Sequence, residues 1–479
     1  MDVKKSTING TVWSMVERFS TMGIQLLCTL FIAQYLAPSE FGLVSMMSIF
    51  LSFSTVMAEA GFGQAIIREK DVTVTDTSSI FYVNIMVGLV VYGLCFLGAP
   101  FIASFYRQPE LTILVRISFL TIIVHSFAIV QGALLQKSVD FAKISKVSLM
   151  SVILSGIIGV VFAVLYKNVW ALVFQSLSYA LFQTLFYWIL SKWQPSFVFS
   201  CSSVKKYLTF SLNLLGSRMI AALADNMANL FIGRAYTSTE LGNYTVPDKL
   251  QRSVAGTISF SIHRVSYSVM SSFQDNLVEL REYSQKIVGM AFFITSPIMI
   301  YLLIVAPQFF SVILSPEWAE SAFYFRYMCI IGAIYCFADI NMDVLLIRGK
   351  SSLVLRLEIV RKTLLVLSLL IGVMYSIKVL LLILVGYNVF NTLLISHYYG
   401  REVSCSLINQ FKKVCPTLYS LSMAAVPTFF CSMYITDKYI NLTVSFFVFF
   451  CLYLTGSSLF NISYLSLMST QVKDFILKK

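Results

Sequence analysis

Arg18, Arg218, Lys249, Arg252 and Arg264 stand inside or beside long apolar runs. A charge at bilayer depth costs several kcal/mol, so such a residue turns to a protein interior or a wet cavity. The planar fork of arginine donates two parallel hydrogen bonds to a phosphate, a geometry lysine lacks. The chemistry these residue types favour is therefore non-covalent binding of an anion, a phosphate-bearing one first of all. Polar companions share their faces. Ser14, Arg18, Thr21 and Gln25 line one side of a helix, and Arg218, Asp225 and Asn229 follow at i, i+7 and i+11 in another. Asp248, Arg252, Ser259 and His263 mark a third face, and Glu59 with Gln64 a fourth. Set against Glu17, Glu59, Asp225 and Asp248, the basic residues are in excess. The same residues also read as structural ion pairs between helices, and Arg264, near a span end, could snorkel to the headgroups.

Further along, Asp339 and Asp343 lie one turn apart, and Glu358 precedes Arg361 and Lys362 by three and four residues, with Arg326 nearby. These form either a local ion-pair network or a proton or cation site, since carboxylates are the usual proton carriers within membranes. No catalytic residue, metal or cofactor is expected. The nine cysteines lie mostly in apolar runs without a CxxC, and His125, His263 and His397 are far apart. Met and Phe at helical spacing read as packing and lipid-facing residues.

The elements that must position these groups are membrane helices. The chain has 479 residues, 58% apolar and 12% charged, with a mean hydropathy of +0.80. About a quarter of a soluble domain is charged, so an all-α polytopic membrane protein is expected. Spans are placed near 11–36, 40–66, 79–105, 111–135, 147–166, 169–191, 207–233, 242–272, 283–305, 318–347, 354–375, 378–398, 415–435 and 440–466, about fourteen in all. Met1–Thr7 reads as a cytoplasmic tail before a retained helix. With the N-terminus inside, twenty loop and tail Lys and Arg fall on the cytoplasmic side. Only Arg107, Lys167, Arg234, Lys378 and Lys438 fall outside. The net charge of +12 is thus a topology signal, and no nucleic-acid partner is expected. The eighth span, near 242–272, is too polar to face lipid all round. It is retained because skipping it would invert every later loop, and it is expected to line an aqueous cavity.

A shift of 200 residues lays Leu30–Gly42 over Leu230–Gly242, with Leu30/Leu230, Phe31/Phe231, Ile32/Ile232, Glu40/Glu240 and Gly42/Gly242 identical. Lys5/Lys205 and Arg18/Arg218 match as well, and Gln25 falls on Asp225. An ungapped repeat of this kind indicates duplication. Because the offset spans six helices, both copies enter the membrane in one orientation. The expected architecture is two pseudo-symmetric six-helix lobes, 1–200 and 201–400, followed by two further helices and a cytoplasmic tail in 401–479. In that plan the site lies between lobes.

The chain resembles the Wzx-type polysaccharide flippases, the polysaccharide transporter branch of the multidrug/oligosaccharidyl-lipid/polysaccharide exporter superfamily, and among them the colanic acid, O-antigen and capsule exporters. The resemblance is carried by EFGL (Glu40–Leu43), AEAGFGQAIIREK (Ala58–Lys70), LLQKSVDFAKI (Leu134–Ile144), LGNYTVPDKL (Leu241–Leu250), HRVSYSVMSSFQDN (His263–Asn276) and SPEWAESA (Ser315–Ala322). It implies a central cationic cavity and alternating access that moves a lipid-linked oligosaccharide across the bacterial inner membrane, for O-antigen, capsule or exopolysaccharide assembly. It also implies an undecaprenyl pyrophosphate carrier whose diphosphate meets the arginines. Membrane lipids, a polysaccharide polymerase and a chain-length regulator are the other partners it implies. Two further functions remain open. One is an organic-cation antiporter of the same superfamily, which the basic excess disfavours. The other is a membrane-bound glycan polymerase or glycosyltransferase, which would need a substantial extracytoplasmic loop.

Overall fold

The structure is a computed structural model that describes residues 3–460 and 462, without the side chains of 3–12, 264, 265 and 268. The expected C-terminal tail and the side chain of Arg264 therefore lie outside the described residues. Every long element is helical. The helices are α1 (Val3–Ala33), α2 (Pro38–Glu59), α3 (Phe62–Arg68), α4 (Val74–Tyr106), α5 (Leu111–Ser118), α6 (Leu120–Ser126), α7 (Ile129–Lys137), α8 (Phe141–Tyr166) and α9 (Trp170–Ser191). They continue as α10 (Cys201–Ala235), α11 (Ser238–Gln251), α12 (Thr257–Ser272), α13 (Leu277–Ile313), α14 (Ala319–Ile347), α15 (Ser351–Val373), α16 (Ile377–Glu402), α17 (Leu407–Tyr434) and α18 (Lys438–Leu459).

Their starts are set by short polar side chains that accept hydrogen bonds from otherwise unpaired backbone N–H groups. Thr73 and Asp76 form a reciprocal capping box at α4. Ser200, Asn276, Ser376, Ser406 and Asp437 cap α10, α13, α16, α17 and α18. Each such cap contributes about 1 kcal/mol and fixes where its helix begins.

Among the described residues, ten helices are long and apolar enough to cross a membrane, or eleven if the bent pair Leu111–Ser126 and Ile129–Lys137 is one span. Length and apolarity thus stop short of the fourteen expected spans, for identifiable reasons. Gln175, Gln183 and several hydroxyl residues dilute α9, and α15 carries Arg356, Glu358, Arg361 and Lys362. The segment expected as the eighth span is broken into α11, a π-helical turn at Arg252–Gly256, and α12. Three expected spans are therefore interrupted helices: the second at Ala60–Gly61, the fourth at Phe119 and Phe127–Ala128, and the eighth at the π turn. Breaks at this depth are tolerated where they are buried in protein or line a cavity.

The chain divides into two compact units, Met1–Thr245 and Val246–Lys479. In the first, α1 packs along α8, α8 along α9, and α10 along α2 and α4. The connection before α10 is stitched to the start of α4: the N–H groups of Ser196 and Ser200 donate to the hydroxyls of Ser78 and Ser79, and the Trp193 indole to Thr77. In the second unit, α13 and α14 form the central pair, with α16, α17 and α18 packed on them. Its core gathers Phe292, Phe293, Cys336, Ile340, Phe449 and Tyr453.

Candidate functional site

The stretch AEAGFGQ explains why the second span breaks where it does. Ala60 and Gly61 both take left-handed backbone conformations, with φ of 45° and 74°. Glycine adopts these angles without steric cost, and alanine does so only under constraint. The constraint is α10. A Cβ on Gly61 would lie 2.8 Å from the backbone oxygen of Ser211, so the two backbones touch at the break. Beyond it, α10 also holds α3: Lys206 pairs with Glu69 at 3.1 Å and the Arg68 guanidinium lies 4.6 Å from the centre of the Phe210 ring. The carbonyls of Ile66 in α3 and of Glu69 and Lys70 just past its end accept from Lys137.

Glu59, the last residue of α2, stands on the other side of the break. Its Oε2 accepts from Arg218 Nη1 of α10 at 2.7 Å, and its Oε1 lies 3.4 Å from His125 Nε2 of α6. One carboxylate thus joins three helices immediately before a backbone break. The cluster opens on a cavity of about 410 Å³, to which Glu17, Gln64, Gln136, Gln183 and Tyr187 also contribute. Glu17 accepts from the Ser148 hydroxyl at 2.7 Å. The cavity is lined by Arg218, Glu17, Glu59 and the imidazole of His125, so the basic excess expected from sequence is not present among the residues lining it.

Of the residues singled out by sequence in this unit, Arg218 and Glu59 pair here, and Ser14, Glu17 and Gln64 line the same cavity. Arg18, Gln25 and Asp225 are exposed, while Ser14 and Glu17 of Arg18's own helix line the cavity. Asn229 donates to the hydroxyl of Ser48 on α2 at 3.2 Å, and Ser48 donates to Asn226 at 3.1 Å. His125, Ser148 and the glutamines of α7 and α9 carried no signal by spacing, because each comes from a different helix. The signal available was that each is a polar side chain inside an apolar run.

In the second unit, Arg252 Nε donates to Asp248 at 2.8 Å across the start of the π turn. Lys249 beside them is exposed. His263 of α12 lies 3.0 Å from Oδ1 of Asp343 on α14, and Asp343 is buried with Oδ2 unpartnered among the described residues. Asp339, one turn earlier, is half-buried. Glu358 pairs within α15 with Arg361 at 2.7 Å. Asp343 is thus tied to the eighth expected span, whereas Glu358 and Arg361 form a local pair.

The repeat has a structural counterpart. A Cβ on Gly42 would lie 1.8 Å from the backbone oxygen of Ser238, and a Cβ on Gly242 would lie 1.8 Å from that of Pro38. These four residues are two pairs at the 200-residue offset, 42 with 242 and 38 with 238. The contact is therefore reciprocal, as across a local two-fold axis where residue i meets j′ and j meets i′. Only glycine allows backbones this close.

The chain is thus a multi-pass helical protein with interrupted helices and charged side chains within long apolar helices. The chain belongs to the polysaccharide biosynthesis protein family, whose model matches residues 31–323. It is 24% identical over 353 residues to the teichuronic acid biosynthesis protein TuaB of Bacillus subtilis (strain 168), covering 73% of each chain. It is 21% identical over 336 residues to the lipopolysaccharide biosynthesis protein WzxC of Escherichia coli (strain K12), covering 70% of this chain and 68% of that one. Its fold is similar to that of the lipid II flippase MurJ in an inward closed conformation. The TM-score is 0.73 at 12% identity, over 95% of this chain and 98% of that one.

Proposed function

We propose that the protein is a flippase that moves undecaprenyl-pyrophosphate-linked oligosaccharide units from the inner to the outer leaflet of the bacterial inner membrane by alternating access. The observation that carries this reading is Arg218. Its guanidinium stands at the middle of the 35-residue α10, faces a polar cavity and is held by one carboxylate. An arginine at that depth suits an anion that must pass through the membrane, and a lipid diphosphate is such an anion. The family and the relatives' roles in polysaccharide assembly support it.

In this reading Arg18, Arg218, Lys249, Arg252 and Arg264 are the cationic contacts of the diphosphate along its path. Gln25, Asp225, Asn229 and Asp248 are polar companions, and Asp339, Asp343 and His263 the coupling group. The repeated segments 1–200 and 201–400 are the lobes, with 401–479 beyond them, and both termini are cytoplasmic. The protein carries out no chemical step; a polymerase and a chain-length regulator act on what it delivers. Glu17 and Glu59 would also suit an organic cation; because Arg218 and both carboxylates are paired, it is the family and the relatives' roles in polysaccharide assembly that put the anion reading first.

Removal of the protein is expected to leave lipid-linked repeat units on the cytoplasmic leaflet, measured by their inaccessibility to a periplasmic glycosidase. Units that still reach the periplasm in a strain without a redundant exporter would contradict the proposal. Asp343→Asn is expected to slow export while the yield of folded protein is unchanged, since the amide keeps a hydrogen bond to His263 but cannot carry the charge. Wild-type export by that variant would remove Asp343 from the coupling group.

A further inference from the structure

We infer that the anion subsite beside Arg218 is built with its own competitor, and that Glu59 occupies the place a diphosphate takes when the substrate's head enters the cavity. The inference rests on the flippase reading and specifies how one of its sites works. Three observations carry it. First, Glu59 presents one oxygen to Arg218 at 2.7 Å and the other to His125 at 3.4 Å. Two oxygens of one anionic group bridging two nitrogen donors is the arrangement a phosphate oxygen pair would adopt. Second, the surrounding cavity of about 410 Å³ supplies neutral polar donors, Gln64, Gln136, Gln183 and Tyr187, suited to the remaining oxygens of a larger anion, beside one further carboxylate, Glu17, that the Ser148 hydroxyl already engages. A pocket of that size holds the head of a lipid-linked glycan while the rest stays outside. Third, Glu59 is followed directly by the left-handed pair Ala60 and Gly61, where α2 gives way to α3. An anion that takes Arg218 away from Glu59 releases the last residue of α2 at the point where the backbone is already broken.

The competitor keeps Arg218 from holding smaller anions, and it makes substrate binding and the release of α2 one event. A ligand whose site is open for only a fraction of the time binds more weakly by that fraction. Removing the competing charge therefore tightens diphosphate binding and at the same time disconnects binding from movement.

The test is calorimetric titration of the full chain in detergent with inorganic pyrophosphate and, separately, with farnesyl diphosphate. Glu59→Gln is expected to bind both about tenfold more tightly than the wild type, and to flip lipid-linked oligosaccharide more slowly in vesicles. Arg218→Gln is expected to remove the gain in the Glu59→Gln background. Unchanged or weaker binding by Glu59→Gln would overturn the inference. So would a gain with pyrophosphate alone, which would mark a site for a soluble anion. Should Glu59→Gln fail to fold, Glu59→Asp, with its shorter reach to Arg218, is expected to show a smaller gain, and an unchanged affinity overturns the inference equally. The flippase reading stands or falls separately, on whether the wild-type protein flips the lipid-linked oligosaccharide at all.

Discussion

Arg218→Ala is expected to abolish export, with a fall of about 100-fold or more, while the protein still inserts. A hydrogen bond to a charged partner contributes about 1.5–3 kcal/mol, and each 1.4 kcal/mol is about tenfold. An arginine that offers two such bonds to a diphosphate therefore accounts for two orders of magnitude or more. The same change leaves Glu59 with His125 as its remaining partner, so a loss of stability has to be separated from a loss of binding. Glu59→Gln with Arg218→Gln removes both charges and restores a neutral hydrogen-bonded pair. It should recover a monodisperse, wild-type-like protein without recovering export. Arg218→Lys should fall between, because an ammonium keeps the charge but not the planar fork. Adding Arg18→Ala to Arg218→Ala should deepen the defect if Arg18 contacts the substrate at another stage of its path. Full activity of the double variant would remove both arginines from the substrate's path. Export is read from surface glycan, and folding from size-exclusion profiles of the solubilised protein.

The second large effect is expected at the paired glycines. Gly42→Ala and Gly242→Ala each place a methyl group 1.8 Å from a backbone oxygen, a separation no relaxation of a side chain can relieve. Forcing extra volume into such a contact costs about 1–3 kcal/mol, enough to shift a two-state equilibrium by as much as two orders of magnitude against the conformation that contains the contact. Because the contact is reciprocal, the two variants should be impaired to a similar degree. Cysteines introduced at Ser39 and Thr239, beside the contact, should cross-link readily in the wild-type background and poorly in either glycine variant. Equal cross-linking in all three would show that the backbones need not approach.

Much of this was legible in the sequence. Composition and the length of the apolar runs specify a helical membrane protein. Five of thirteen positions match between Leu30–Gly42 and Leu230–Gly242, and Gly42 and Gly242 of those segments make reciprocal backbone contacts. The pair Arg218 and Glu59 was legible only as two candidates. Their 159-residue separation gives no periodicity to follow, and what joins them is the packing of α10 along α2. His125 was not legible at all, since a lone histidine in an apolar run has the same pattern whether it packs or pairs. Arg18 illustrates the opposite case. Ser14, one turn before it on the same face, lines the cavity, yet Arg18 itself is exposed. Helical spacing alone cannot say which neighbour a face meets. The breaks in the second, fourth and eighth expected spans were hidden for a related reason. Apolarity runs through them, and only the backbone angles at Ala60 and Gly61, the bend between α6 and α7, and the π turn reveal the interruption.

The flippase reading requires that this chain alone carry a lipid-linked oligosaccharide across a bilayer. The direct measurement is reconstitution of the purified full-length protein into liposomes that hold the lipid-linked oligosaccharide in both leaflets. A membrane-impermeant glycosidase is added outside, and the fraction of glycan cleaved is followed in time. Cleavage is expected to proceed beyond the outer-leaflet fraction in liposomes containing the wild-type protein, and to stop at that fraction with Arg218→Ala. Cleavage that stops at the outer-leaflet fraction with the wild-type protein, as in protein-free liposomes, would contradict the flippase reading.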